Sequence, residues 1–356
     1  MKKRQRFAMS VCTALLGAHF AVAQSYTLTD LGTLNNSNAS LNDSYATAIN
    51  DSGQVVGYSY IETDGDAITH AFLWTEEGGL QDLGADGGTW SGAWGINSIG
   101  QIVGSLGASF TSAFVWSQGA MQTLGTLGGD NSSAAGINDL GDIVGSSTTT
   151  SSDVFSHAFV WTQARGMRDL GTLGGNKSGA WGVNNHRQVV GYSSVPGNDN
   201  VFHAFLWTSA SGLQDLGTLG GSSSYALAIN DSGAIVGTSN LPGDTVQHAF
   251  LWTKSKGMQD LETLGGRNST AFGINSEGWV VGISDTRKPA QGAVFLWRNG
   301  KGLENLTKQI SSSSGWLVDN LLSINKAGQI AGYGFSPDDR NDFRAVLLTP
   351  IKSPAD

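Results

Sequence analysis

The chain contains six histidines and one cysteine, so any side-chain metal or nucleophile chemistry has few places to start. Four of the histidines, His70, His157, His203 and His248, each open a copy of His-Ala-Phe-Leu/Val-Trp. Four imidazoles at one repeated register suggest a metal ring. Zinc, however, holds its nitrogen ligands at about 2.0–2.1 Å. Equivalent positions on the third strands of radially stacked sheets would stand about 13 Å or more apart, because neighbouring strands are spaced by roughly 4.8 Å. The four histidines are therefore expected to pack at the blade shoulder, hydrogen-bonded to a neighbouring loop, and no metal or other cofactor is expected. Ser112, Ala293 and Arg344 fill the same position in other copies, as a packing role allows. His186 falls in an irregular turn and is expected to be solvated. The Gly-x-Ser-x-Gly elbow, His-Glu-x-x-His, the phosphate-binding Gly-x-x-x-x-Gly-Lys and the spacing of calcium loops are all missing, so no catalytic residue is assigned.

Two other residue types recur too regularly to mark a site. An asparagine follows Ile or Val at Asn50, Asn97, Asn138, Asn184, Asn230, Asn275 and Asn325, where its side chain can cap its own turn by bonding backbone two residues on. The tryptophans that end the pentapeptides are expected to be core between blades. Function is sought where the copies differ, and they differ in two sets of loops. One set supplies the ligand-binding candidates Asp86, Trp90, Asp130, Asn131, Asn176, Lys177, Arg267 and Asn268. Trp90, an indole beside amides and carboxylates, could stack on a sugar ring. The other set carries Asp64 and Asp66, residues 198–200, residues 285–288 and residues 338–342.

The elements that position these loops follow from the repeat. The pentapeptide occurs in seven copies, the last degenerate at 344–348, and the seven asparagines recur about every 46 residues, a spacing typical of four-stranded propeller blades. In the first unit the strands are expected at 45–50, 54–59, 70–75 and 80–83. Asn50-Asp51-Ser52-Gly53 forms the first turn, and Arg187 alone departs from its closing glycine, which predicts a strained or differently shaped loop there. The last unit lacks a fourth strand, while residues 26–34 resemble one. The expected fold is an all-β, seven-bladed β-propeller whose last blade is closed by the N-terminal strand. Within the innermost strand, simple alternation puts Ser44, Ala46 and Ala48 on one face, and Thr47 or Trp181 with Ile49 or Val183 on the other.

Composition agrees. Fifty glycines in 356 residues are twice the ordinary share, which disfavours helical bundles, while 39% hydrophobic residues and 11 tryptophans are incompatible with disorder. Residues 1–23 read as a secretory signal peptide: Lys2, Lys3, Arg4 and Arg6 precede an apolar stretch and an Ala21-Val22-Ala23 cleavage site. Cys12 lies in that segment. Without it the propeller is expected over 24–350, followed by a tail at 351–356, with 16 Lys+Arg against 29 Asp+Glu, a net charge of −13. Such a surface repels phosphate backbones, so nucleic acid is not an expected partner, nor is a membrane span.

The recurring His-Ala-Phe-Leu/Val-Trp, Leu-Gly-Thr-Leu-Gly-Gly and Gly-Ile-Asn segments resemble the HAF-repeat family of bacterial extracellular proteins over most of 26–348. The resemblance implies export and a fold like kelch propellers in outline; it implies no activity. The leading expectation is a secreted, monomeric, non-enzymatic module that presents a loop face to an extracellular protein or glycan. The alternatives are a hydrolase or lyase acting on a carbohydrate or lactone at the channel mouth, and a repeat protein of a surface adhesive layer.

Overall fold

The structure is a computed structural model that describes residues 25–35, 42–63, 66–151, 155–287 and 292–351. The segment expected to be a signal peptide, with Cys12 and the expected cleavage site, together with Asp64, Lys288 and the tail beyond Ile351, lies outside the described residues. Seven four-stranded antiparallel sheets form a ring. Numbered from the first complete sheet, blades 1 to 7 span residues 44–82, 90–123, 132–171, 178–215, 224–260, 265–305 and 317–350. The fourth strand of blade 7 is Tyr26–Asp30, which pairs with Phe343–Pro350, so the N-terminal strand closes the ring as expected. One helix, Leu306–Ser314, was not anticipated. It carries Leu306 and Ile310 into the core beside Tyr26 and Leu321.

Each blade is held to the next by the residues that repeat. The pentapeptide phenylalanines, Phe72, Phe114, Phe159, Phe205, Phe250 and Phe295, are fully buried. A glycine on the neighbouring strand admits them: a Cβ on Gly57 would lie 1.9 Å from the Tyr45 carbonyl oxygen and 2.9 Å from the Phe72 ring. At six blade interfaces a serine in the first half of the innermost strand accepts the backbone N–H of the pentapeptide alanine in the preceding blade, as Ser178 does from Ala158 at 2.8 Å. At the interface of blades 6 and 7 the Thr307 hydroxyl of the helix takes this place, accepting from Val294. A buried amide left unpaired would cost about 1–3 kcal/mol, so these hydroxyls are structural.

The asparagines do more than cap. In each blade Oδ1 accepts one or two backbone N–H groups of the following turn, as Asn50 does from Ser52 and Gln54 and Asn97 from Gln101. Nδ2 donates to the carbonyl of the equivalent asparagine in the next blade, at 2.9–3.1 Å, seven times around the ring, with Asn325 returning to Asn50. The result is a closed hydrogen-bonded hoop around one end of the axis. Arg187 sits in the turn of this set that lacks glycine and adopts φ +59, a left-handed conformation that costs a non-glycine residue about 1–2 kcal/mol.

Two expectations are corrected. The histidines bond within their own blade: His70, His157, His203 and His248 Nδ1 meet the carboxylates of Asp82, Asp169, Asp215 and Asp260 on the outermost strand or its end, at 2.7–3.0 Å. A side chain twelve residues on is nearer than any adjoining loop, because the third and fourth strands are an antiparallel pair. Simple alternation also fails in the innermost strand. In blade 1 the register slips between Ala46 and Ala48, so Ala46 and Ile49 share one blade interface while Ala48 faces the other.

Candidate functional site

That slip is a β-bulge, and all seven innermost strands have it at one register. The residues skipped by the pairing are Thr47, Trp94, Ala135, Trp181, Leu227, Phe272 and Leu322. A bulge leaves its extra residue without a ladder partner and re-aims its side chain. Here all seven point into the axial channel and line a funnel of about 570 Å3, opening on the face where the variable loops emerge. At these positions the copies differ in size and chemistry while the surrounding backbone stays constant.

Aromatic residues gather on opposite sides of this funnel. On blades 7, 1 and 2, Tyr45 stacks on Tyr58 at 4.9 Å between ring centroids and meets Tyr333 edge-on at 4.9 Å, with Trp94 5.5 Å from Tyr58. On blades 4 and 5, Trp181 lies 4.7 Å from Tyr192 and 6.2 Å from Tyr225. Glycine makes room for these rings: a Cβ on Gly92 would come within 3.1 Å of the Trp94 ring, and one on Gly179 within 2.8 Å of Tyr192. Hydroxyls are interleaved with the rings. Trp94 Nε1 donates to Ser105 Oγ at 3.1 Å, and Ser105 and Ser133 share a hydrogen bond of 2.6 Å. Burial pushes the Tyr58 phenol up to about 12 and raises those of Tyr45, Tyr192, Tyr225 and Tyr333, so every one of these hydroxyls keeps its proton at neutral pH. No carboxylate or imidazole is among the described residues of the funnel wall.

None of the eight candidates read from the loops lines the funnel. Trp90, Asn131, Lys177 and Asn268 share one register, just before the serine of the innermost strand, on the rim of the same face; Asp130, Asn176 and Arg267 precede three of them. Most are engaged in bracing loops. Asn176 donates through its backbone and Nδ2 to Asp199, at 2.9 and 2.8 Å. Asn268 does the same to Asp285, at 3.0 and 2.9 Å. Asn131 Oδ1 accepts from Thr111, and Arg267 donates to the Thr245 carbonyl at 3.3 Å. Lys177 Nζ lies between the rings of Phe155 and Phe202, 4.8 and 5.9 Å from their centroids. Asp86 is exposed in a turn with φ +44, and Trp90 is half-buried opposite Gly107. The structure does not bring Asp86 and Trp90 into one pocket with the others.

The opposite end of the axis is narrower. A cavity of about 220 Å3 is ringed by the asparagine hoop and the residues after it. Asp139 accepts from the Ser98 N–H and from Asn185; burial opposes ionisation, but these hydrogen bonds outweigh it and hold the carboxyl below its ordinary value. This end is occupied by its own bonding. Among the described residues no group of three or more His, Cys, Asp or Glu is placed to hold a metal ion. No helix among them is long and apolar enough to cross a membrane.

No family model and no curated protein sequence matches the chain. Solved structures do. The β-propeller domain of the Trilobed protease from Pyrococcus furiosus, described as having an open velcro topology, is 9% identical with a TM-score of 0.57, over 88% of this chain and 100% of that one. Pyrococcus horikoshii acylaminoacyl peptidase is 9% identical with a TM-score of 0.59, over 87% of this chain and 52% of the peptidase, about half its length. TolB from Acinetobacter baumannii is 11% identical with a TM-score of 0.44, over 84% and 80%. At such identities the likeness is one of propeller fold alone.

Proposed function

We propose that this chain is an exported, non-enzymatic binding module of the HAF-repeat type, and that its ligand is a neutral glycan segment received in the axial funnel. The observation that carries this reading is the ring of seven bulged residues, whose identities vary while the scaffold repeats. Trp94 and Trp181, backed by tyrosines on opposite walls, offer apolar ring faces, and the serine and tyrosine hydroxyls offer hydrogen bonds to a ligand rich in hydroxyls. A volume of about 570 Å3 is within the range of small-ligand pockets. A glycosidase reading requires two facing carboxyl groups roughly 5–9.5 Å apart, and the funnel wall offers none among its described residues. The rim candidates, Trp90 and Lys177 among them, would then border the ligand.

A glycan array followed by calorimetry tests this. Trp181→Ala and Trp94→Ala should each weaken binding by roughly tenfold or more, the loss expected for a stacking face worth about 1.4 kcal/mol. Trp90→Ala should have a smaller effect. Affinity should stay flat from pH 5 to 9, because no group of the described wall titrates there. Absence of any bound glycan, or a bell-shaped pH dependence, would defeat the proposal.

A further inference from the structure

A second location breaks the repeat three times at once. Between blades 3 and 4, on the face opposite the variable loops, a groove of about 340 Å3 is lined by Arg165, Arg168, Arg187, Asp142 and Trp207. Arg187 stands where the other six turns have glycine. Asp142 stands where Gln54, Gln101, Gln188 and Gln329 stand in other blades. Arg168 pairs across the sheet with Val160 at the register that holds Gln81, Gln122, Gln214 and Gln259 elsewhere. These departures meet. Arg187 Nε donates to Asp142 Oδ2 at 2.8 Å, and Arg168 lies over the Trp207 ring, 5.6 Å from its centroid.

The equivalent groove between blades 5 and 6 serves as an internal reference. It presents Lys256, Gln259, Gly278, Ala234 and Trp297 at the matching positions, with Glu262 and Glu277 where blades 3 and 4 have Gly171 and His186; Asp260 is matched by Asp169. The same architecture is thus basic in one place and acidic in another. In the blade 3–4 groove, the Asp142 carboxylate balances one of three guanidinium groups. Among the described residues neither Arg165 nor Arg168 is paired with a carboxylate. Arg165 and Arg168 are exposed along one groove, so on a protein with net charge −9 they concentrate positive potential at that place.

We infer that the blade 3–4 groove is an anion-binding site, separate from the funnel, for a carboxylate, sulfate or phosphate group. Guanidinium is suited to this because its fork of N–H donors matches an oxyanion in bidentate fashion. Trp207 holds Arg168 in place, and Asp142 orients Arg187 while subtracting charge. The free inorganic ion and an acidic sugar residue share this chemistry, so both must be offered.

The test is calorimetric titration at low ionic strength with inorganic sulfate, inorganic phosphate and a galacturonate trisaccharide, with indole N–H resonances followed by NMR. Binding of at least one probe should shift the Trp207 indole and leave Trp297 unmoved; the tightest probe identifies the source. Arg168→Gln should weaken that binding by roughly tenfold. Asp142→Gln should tighten it severalfold, an outcome that no loss of structure would mimic. Both variants install residues found at the same register in other blades, and their thermal transitions report on folding. The inference is overturned if no probe binds, if Arg168→Gln binds as well as the parent, or if Asp142→Gln in a folded state weakens binding.

Discussion

Replacing Asn184 by alanine removes one link of the asparagine hoop, and the loss can be worked from the bonds that go with it. Oδ1 accepts the backbone N–H of His186 at 3.1 Å and of Gln188 at 3.0 Å. Nδ2 donates to Gln188 Oε1 at 2.7 Å and to the Asn230 carbonyl at 3.0 Å. Asn184 is 4% exposed, so water reaches little of this network. Four hydrogen bonds at about 1 kcal/mol each suggest a loss of about 4 kcal/mol. In a domain of this size that is about a 6 °C fall in melting temperature. Asn184→Asp is the more telling variant. Its shape and Oδ1 acceptor persist, but a carboxylate oxygen then faces the Asn230 carbonyl in place of a donor. The ionised form is disfavoured in the fold, which raises the folded-state pKa above the unfolded one. The deficit should therefore be full above that raised value and shrink as pH falls and the carboxyl regains a proton it can donate. Urea denaturation of both variants from pH 4 to 8 measures this. An alanine effect below about 1 kcal/mol, or an aspartate effect indifferent to pH, would refute the hoop as a source of stability.

Three further outcomes are expected. Removing residues 24–34 takes away the strand that pairs with Phe343–Pro350, and cooperative unfolding should be lost; a truncated protein that melts at the parent temperature would show that closure contributes nothing. Gly191→Ala puts a Cβ 2.0 Å from the Gly179 carbonyl oxygen and should cost about 3 kcal/mol or prevent folding, read by soluble yield and denaturation midpoint. At Asp82 burial works to raise the carboxyl, but hydrogen bonds from His70 and the Gly84 N–H outweigh it and leave it below its ordinary value. Its contribution is present above the usual aspartate range and fades as pH falls through the lowered value, so Asp82→Asn should flatten the acid limb of the stability curve, and an unaltered limb would count against the pairing.

The number of blades, their four strands and the closing strand were all legible, because a repeat exposes its own period: the segment from His70 to Trp74 and the Ile-Asn pair ending at Asn50 each return once per unit. The funnel was not. Thr47 and Trp181 read as interface residues under strict alternation, and only a one-residue slip, invisible to a period of two, turns them into the channel. A signal existed in the variation itself, since Thr, Trp, Ala, Trp, Leu, Phe and Leu occupy one register. Attention to loops led instead to Asn176 and Asn268, whose amides the fold consumes in bonds to Asp199 and Asp285. The hoop escaped for a different reason: the capping half of each asparagine is local, whereas the donor half reaches a residue about 46 positions away.

The strand at Tyr26–Asp30 has a consequence in time. It is the first of the described strands to be made, and its partner, Phe343–Pro350, comes more than 300 residues later. Blades 1 to 6 draw their strands from neighbouring sequence and can assemble as they emerge, while this strand must wait with its pairing edge unoccupied. Joining it closes a very long loop, so the last step of folding should be slow relative to blade formation. The same step completes the Asn325 to Asn50 link, which makes sealing of the ring a single late event. The interval before it is when the chain is most exposed to strand exchange with another copy of itself.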